Sequence, residues 1–157
     1  MFPLEPLEIL QVIGYSVGAL LPLWMAVQLV FNRRKLSNLE RLLAALALTM
    51  GGWHTSNLVI TLHGLFDLGL DTWTTLLRSA DTIAVVSITF AYSLLLHVHL
   101  HLWANAHGRD LNRSERVRVY MSYLPTIFLV VAVPRLWTGD YAPMLTKLSP
   151  FVCALPK

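Results

Sequence analysis

The sequence predicts an all-α integral membrane protein, a bundle of four transmembrane helices that forms one domain over residues 1–157. Of its residues 55% are hydrophobic and 13% are charged, and the mean hydropathy is +0.58, whereas soluble domains are about 25% charged. Four apolar stretches, at about 9–31, 42–66, 82–104 and 119–137, are each about long enough to cross a hydrocarbon layer of ~30 Å.

The second stretch, 42–66, contains no acidic or basic residue apart from histidine, yet it carries a polar seam. His54, Asn57, Thr61 and Gly64 follow one another at spacings of three, four and three residues. A helix places them on one face, which Ala47 and Gly51 continue. A membrane helix with a face of small and polar residues is expected to pack against other helices.

The remaining stretches have features of their own. Gly14-x-x-x-Gly18 in the first one forms a ridge that allows close approach of another helix. Ser37 or Asn38 is expected to cap the second helix. We expect 67–81 to be a loop, with Asp81 capping the third helix. The fourth stretch contains Pro125 and Pro134, which a membrane helix tolerates where neighbours satisfy the freed carbonyl.

Basic residues indicate how the chain is oriented. The loops 32–41 and 105–118 hold four each of the twelve Lys and Arg residues, so the positive-inside rule predicts that both are cytoplasmic. The N-terminus is then outside, and 138–157 forms an extracytoplasmic tail or the start of a fifth span. The single cysteine, Cys153, excludes an internal disulfide.

Histidines are the main candidates for chemistry. We expect His54, Asn57, Thr61, Ser93 and His97 to be the residues that sense a ligand or a proton, because ionisable and polar groups inside a membrane are often functional. The same side chains can form interhelical hydrogen bonds without any ligand. Haem b ligation by His54 and His97 is a weaker alternative, since their depths differ by about 9 Å at the helical rise. A metal site at His97 and His101 is weaker still, because no third ligand is evident.

No catalytic motif is present, so the sequence predicts that the chain is not an enzyme and needs no cofactor. The expected partners are the lipid bilayer and other membrane subunits or a second copy of the chain. Nucleic acid is not expected, since the basic residues lie in short loops between apolar stretches.

Several short motifs resemble the N-terminal multi-span sensor region of bacterial sensor histidine kinases. They are Trp53 in the second stretch, Leu95-Leu96-His97 in the third, the Arg-rich loop from Arg109 to Arg118, and Tyr123-Leu124-Pro125. The resemblance covers most of residues 10–135. It implies a signal-input role in a two-component system and a place in the bacterial cytoplasmic membrane. The chain departs from such kinases in that their catalytic domains are not expected in it. The alternative function is an accessory or anchor subunit of a membrane redox or photosynthetic complex, binding haem or quinone.

Overall fold

The structure, a computed structural model, describes residues 5–31, 36–66 and 71–137, apart from the side chains at 71–74 and 135–136. Four helices account for nearly all of these residues: α1 (Pro6–Phe31), α2 (Asn38–Phe66), α3 (Asp71–Ala106) and α4 (Arg113–Trp137). No strand occurs in the described ranges, which confirms the predicted all-α class. The predicted tail or fifth span at 138–157 lies outside them.

Local capping explains where α2 begins. The Ser37 hydroxyl accepts a hydrogen bond from the Glu40 amide at 3.3 Å, and the Glu40 carboxylate accepts one from the Ser37 amide at 2.8 Å. This reciprocal capping box satisfies two amides that the helix itself leaves unpaired. Of the two residues proposed as the cap, the structure selects Ser37.

A second capping box starts α4 six residues before the predicted boundary at 119. The Asn112 side chain accepts from the Glu115 amide, and the Glu115 carboxylate accepts from the Asn112 amide, both at 2.8 Å. Arg109 also donates two hydrogen bonds to Glu115, at 2.7 and 2.8 Å. Hydrogen bonding to Glu115 raises the pKa of the Arg109 guanidinium above its ordinary value. Gly108, at φ 62°, supplies the left-handed residue that ends the preceding helix.

The expected loop at 67–81 is largely wrong. Helix α3 already begins at Asp71, so Asp81 lies in the helix interior and does not cap it. The acidic residues suggested a loop, but no glycine or proline interrupts 71–106, and nothing therefore breaks the helix. At 36 residues it is about 54 Å long and extends beyond a hydrocarbon layer of ~30 Å.

Each helix packs against the next one along the chain, with α1 on α2, α2 on α3 and α3 on α4. The buried positions are mostly small. They include Ala19, Ala26, Ala44, Ala47, Ala80, Ala84, Ala91 and Ala104. Large side chains point outward instead, as Leu20 (69% exposed) and Val131 (70% exposed) illustrate. Helices packed in lipid are expected to have small residues at their contacts and large apolar residues on the outside.

Three of the helices are long and apolar enough to cross a membrane: α1, α3 over Thr75–Ala106, and α4 over Arg113–Pro134. Their length and composition indicate a membrane protein. Helix α2 is also long, at 29 residues. It is not among the three helices that are apolar enough to cross a membrane, because polar side chains such as His54 and Asn57 lower the hydropathy of its central part.

Candidate functional site

The predicted seam of α2 brings His54 onto the backbone of α1. A methyl group built on Gly18 would lie 2.5 Å from His54 Nδ1 and 2.7 Å from its Cγ. The imidazole therefore occupies the space that any side chain at Gly18 would need. The helix pair is antiparallel, and one turn away on α2 a methyl group on Gly51 would lie 2.7 Å from Leu23 Cγ.

Aromatic rings surround the His54 imidazole. The Trp53 ring centroid is 4.5 Å from it, and the Tyr15 ring of α1 is 6.1 Å away. His54 Nδ1 is buried and has no hydrogen-bond partner among the described residues. A buried polar atom without a partner is uncommon in a folded protein and calls for a functional or structural explanation.

The Gly14-x-x-x-Gly18 ridge is confirmed at one of its two glycines. Nothing lies within 4 Å of a methyl group built on Gly14, whereas one on Gly18 would collide with His54. The close approach of α1 and α2 instead continues through Ala19 and Ala26, which are buried at 6% and 2% exposure. The contacting ridge is thus displaced toward the C-terminal half of α1.

Asn57 and Thr61, the other seam candidates on α2, are half-buried. The Asn57 amide donates a hydrogen bond to the Trp53 carbonyl of its own helix at 2.8 Å. The side-chain amide of Asn57 thus finds a hydrogen-bond acceptor within its own helix, as asparagine can by bonding to the carbonyl four residues earlier. An interhelical hydrogen bond from the remaining N–H or the carbonyl oxygen of Asn57 stays a prediction.

The α3 candidates do make interhelical hydrogen bonds, and both go to α4. Ser93, which is 3% exposed, donates to the Ser122 carbonyl at 2.5 Å. His97 Nδ1 lies 3.1 Å from the Tyr123 hydroxyl, with the donor set by the histidine tautomer. The sequence alone could not identify these partners, although Tyr123 already stood out in the Tyr-Leu-Pro motif.

His54 and His97 lie at different interfaces, the first against α1 and the second against α4. These contacts lend no support to haem ligation by the pair, which stays a prediction. The His97 and His101 rings are stacked, with centroids 5.8 Å apart and planes at 17°. Among the described residues, no group of three or more His, Cys, Asp or Glu could hold a metal ion.

No protein-family model, curated protein or solved structure matches the chain. The resemblance to sensor histidine kinases therefore rests on the short motifs quoted above.

Proposed function

We propose that the chain is a membrane-embedded input module, as its resemblance to sensor histidine kinases implies. We further propose that it crosses the bilayer four times with its N-terminus outside. The concentration of basic residues in 32–41 and 105–118 supports this orientation. The packing of α2 between α1 and α3 supports its assignment as a fourth crossing, since α1 and α3 are both apolar enough to span a membrane.

One observation carries the proposed sensing mechanism: the His54 imidazole lies against Gly18, and its buried Nδ1 has no hydrogen-bond partner in the described part of the chain. No charged residue of α1 or α2 lies near it in sequence register. Glu8, in the first turn of α1, is ten residues from Gly18, or about 15 Å along the helix. Arg41 is 13 residues from His54, or about 20 Å. The titratable side chain facing His54 from α1 is Tyr15.

Protonation of His54 would therefore place inside the α1–α2 interface a charge that no acidic residue of α1 or α2 is close enough to compensate. Such a charge is unfavourable in an apolar environment unless water or a counter-charge reaches it. The protonated protein is expected to favour an arrangement in which α1 and α2 have moved apart at Gly18. A proton that binds the two arrangements unequally shifts the equilibrium between them. This makes the α1–α2 seam the element that responds to the signal.

The movement can pass to α3 through the opposite side of α2. A methyl group on Gly52, next to the seam, would lie 3.2 Å from Ser87 Oγ of α3. Because α2 has small residues on both sides, a displacement of α2 relative to α1 also changes how closely α2 fits against α3.

The proposal is tested by measuring the distance between α1 and α2 as a function of pH. Spin labels at L20C and L48C, on exposed positions of the two helices, are introduced into a C153S background and reconstituted in lipid. Double electron–electron resonance should show that the mean distance between the two spin labels increases by about 2 Å or more when the pH is lowered from 8 to 5.

His54→Gln and His107→Gln are the matched variants for this measurement. His107 is exposed and contacts the Trp103 ring, with centroids 4.4 Å apart, outside the seam. The His54 variant should abolish the pH-dependent change, and the His107 variant should retain it. A distance that does not change with pH in the wild-type chain, or one that still changes in the His54 variant, contradicts the proposal.

A further inference from the structure

Two adjoining cavities lie where the start of α2, the end of α3 and the start of α4 meet. One has a volume of about 310 Å³ and the other about 330 Å³. They share Asn38 from α2 and the stacked pair His97 and His101 from α3. Arg116 of α4 lines the first, and Arg41 of α2 lines the second. We call this region the basic cavity.

The two arginines of the basic cavity have no carboxylate partner among the described residues. Arg116 donates through Nε to the Leu111 carbonyl at 3.0 Å, which fixes the guanidinium while leaving its two terminal nitrogens for other acceptors. Arg41 uses its backbone amide to bond the Ser37 carbonyl. Asp110 is the one carboxylate in the lining, so the arginines give the basic cavity a positive balance.

The His101 side chain lines both parts of the basic cavity. His101 Nδ1 is buried and lacks a hydrogen-bond partner within the described part of the chain. The lining contains His97, His101 and Asp110, but no trio of His, Cys, Asp or Glu in the described ranges is arranged to hold a metal. The cavity chemistry thus favours an anion over a cation.

We propose that the basic cavity binds a phosphate group, with Arg41 and Arg116 as the charged donors and His101 as a further hydrogen-bond partner. Arginine guanidinium groups suit phosphate oxygens because they donate several hydrogen bonds in a fixed planar arrangement. The apolar neighbours Leu42 and Val119 in the lining suit a phosphate that carries acyl chains. A lipid headgroup and a soluble phosphate share this chemistry. The proposal is independent of the seam at His54.

The test is a binding titration on the full chain in detergent, using three probes: short-chain phosphatidylglycerol, the matching diacylglycerol without phosphate, and inorganic phosphate. Phosphatidylglycerol should bind at least about fivefold more tightly than diacylglycerol. Binding of inorganic phosphate, or its displacement of the lipid, would identify a soluble phosphate as a ligand. Phosphatidylglycerol binding that inorganic phosphate leaves unchanged would identify the lipid headgroup. Either result supports the site.

Matched variants separate the cavity from the general positive charge of the region. Arg116→Gln and His101→Gln should each weaken phosphatidylglycerol binding by about threefold to tenfold. Arg113→Gln and His107→Gln change exposed residues of the same region that do not line the cavity and should change affinity less than about twofold. Equal losses for Arg116→Gln and Arg113→Gln, equal binding of the two lipids, or no binding of either phosphate probe would overturn the proposal.

Discussion

Replacing Gly18 by alanine should destabilise the protein, although alanine is the better helix former. The new methyl group would lie 2.5–2.7 Å from three atoms of the His54 ring, including Cγ near its attachment point. The imidazole cannot avoid it by moving its tip alone, so α1 and α2 must separate or His54 must change rotamer. Overpacking of this kind costs about 1–3 kcal/mol. Denaturation of the detergent-solubilised chain, followed by circular dichroism, measures the change.

Gly14→Ala is the matched control, since it makes the same substitution one turn earlier on α1 where nothing lies within 4 Å. It should be neutral or stabilising by up to about 1 kcal/mol, because alanine loses less backbone entropy than glycine in a helix. The double variant Gly18→Ala/His54→Ala should recover much of the loss, since it removes the atoms that collide. Equal effects of Gly14→Ala and Gly18→Ala would refute the close contact at His54.

Gly51→Ala should be the second strongly destabilising substitution. Its methyl group would lie 2.7 Å from Leu23 Cγ and 2.8 Å from Leu23 Cδ2, with the Ala19 carbonyl oxygen 3.6 Å away. Leu23 can partly rotate away, so the expected loss is at the lower end of the range, about 1–2 kcal/mol. The same denaturation experiment measures it.

Gly64→Ala, on the same helix and in open space, controls for helix propensity and should not destabilise. Combining Gly51→Ala with Leu23→Ala tests the cause, because two residues in contact are expected to show a coupling energy of about 0.5–3 kcal/mol. Strict additivity of the two substitutions would mean that Leu23 does not pack on Gly51.

Charge and hydropathy patterns predicted the four helices because lipid and interhelical packing demand long apolar segments. The helix starts were harder to predict, since capping residues and charged residues near one boundary can indicate different starting points. Residue type limits the cap of α2 to Ser37 or Asn38, whereas the Asn112–Glu115 capping box lies inside a segment whose arginines indicate a loop. The prediction for Asp81 is wrong because acidic residues do not end a helix that no glycine or proline interrupts between 71 and 106.

Helical periodicity also predicted a face of α2 that packs against another helix, without saying which one. His54 and Gly51 were placed on one face three residues apart, and the structure has both against α1. Periodicity cannot say which residue of another helix lies opposite, so Gly18 and Tyr123 could not be identified as partners. Periodicity could not predict the basic cavity, because this cavity joins residues from three separated parts of the chain, around Arg41, His101 and Arg116.

The proposed topology requires that α2 cross the membrane, and labelling of single cysteines tests this most directly. In a C153S background, Arg41→Cys and Phe66→Cys mark the two ends of α2 at exposed positions, and Arg113→Cys marks the start of α4. A membrane-impermeant thiol reagent should reach Phe66→Cys from outside intact cells, and should reach the other two only after the membrane is opened. Labelling of Arg41→Cys and Phe66→Cys from the same side would contradict the account.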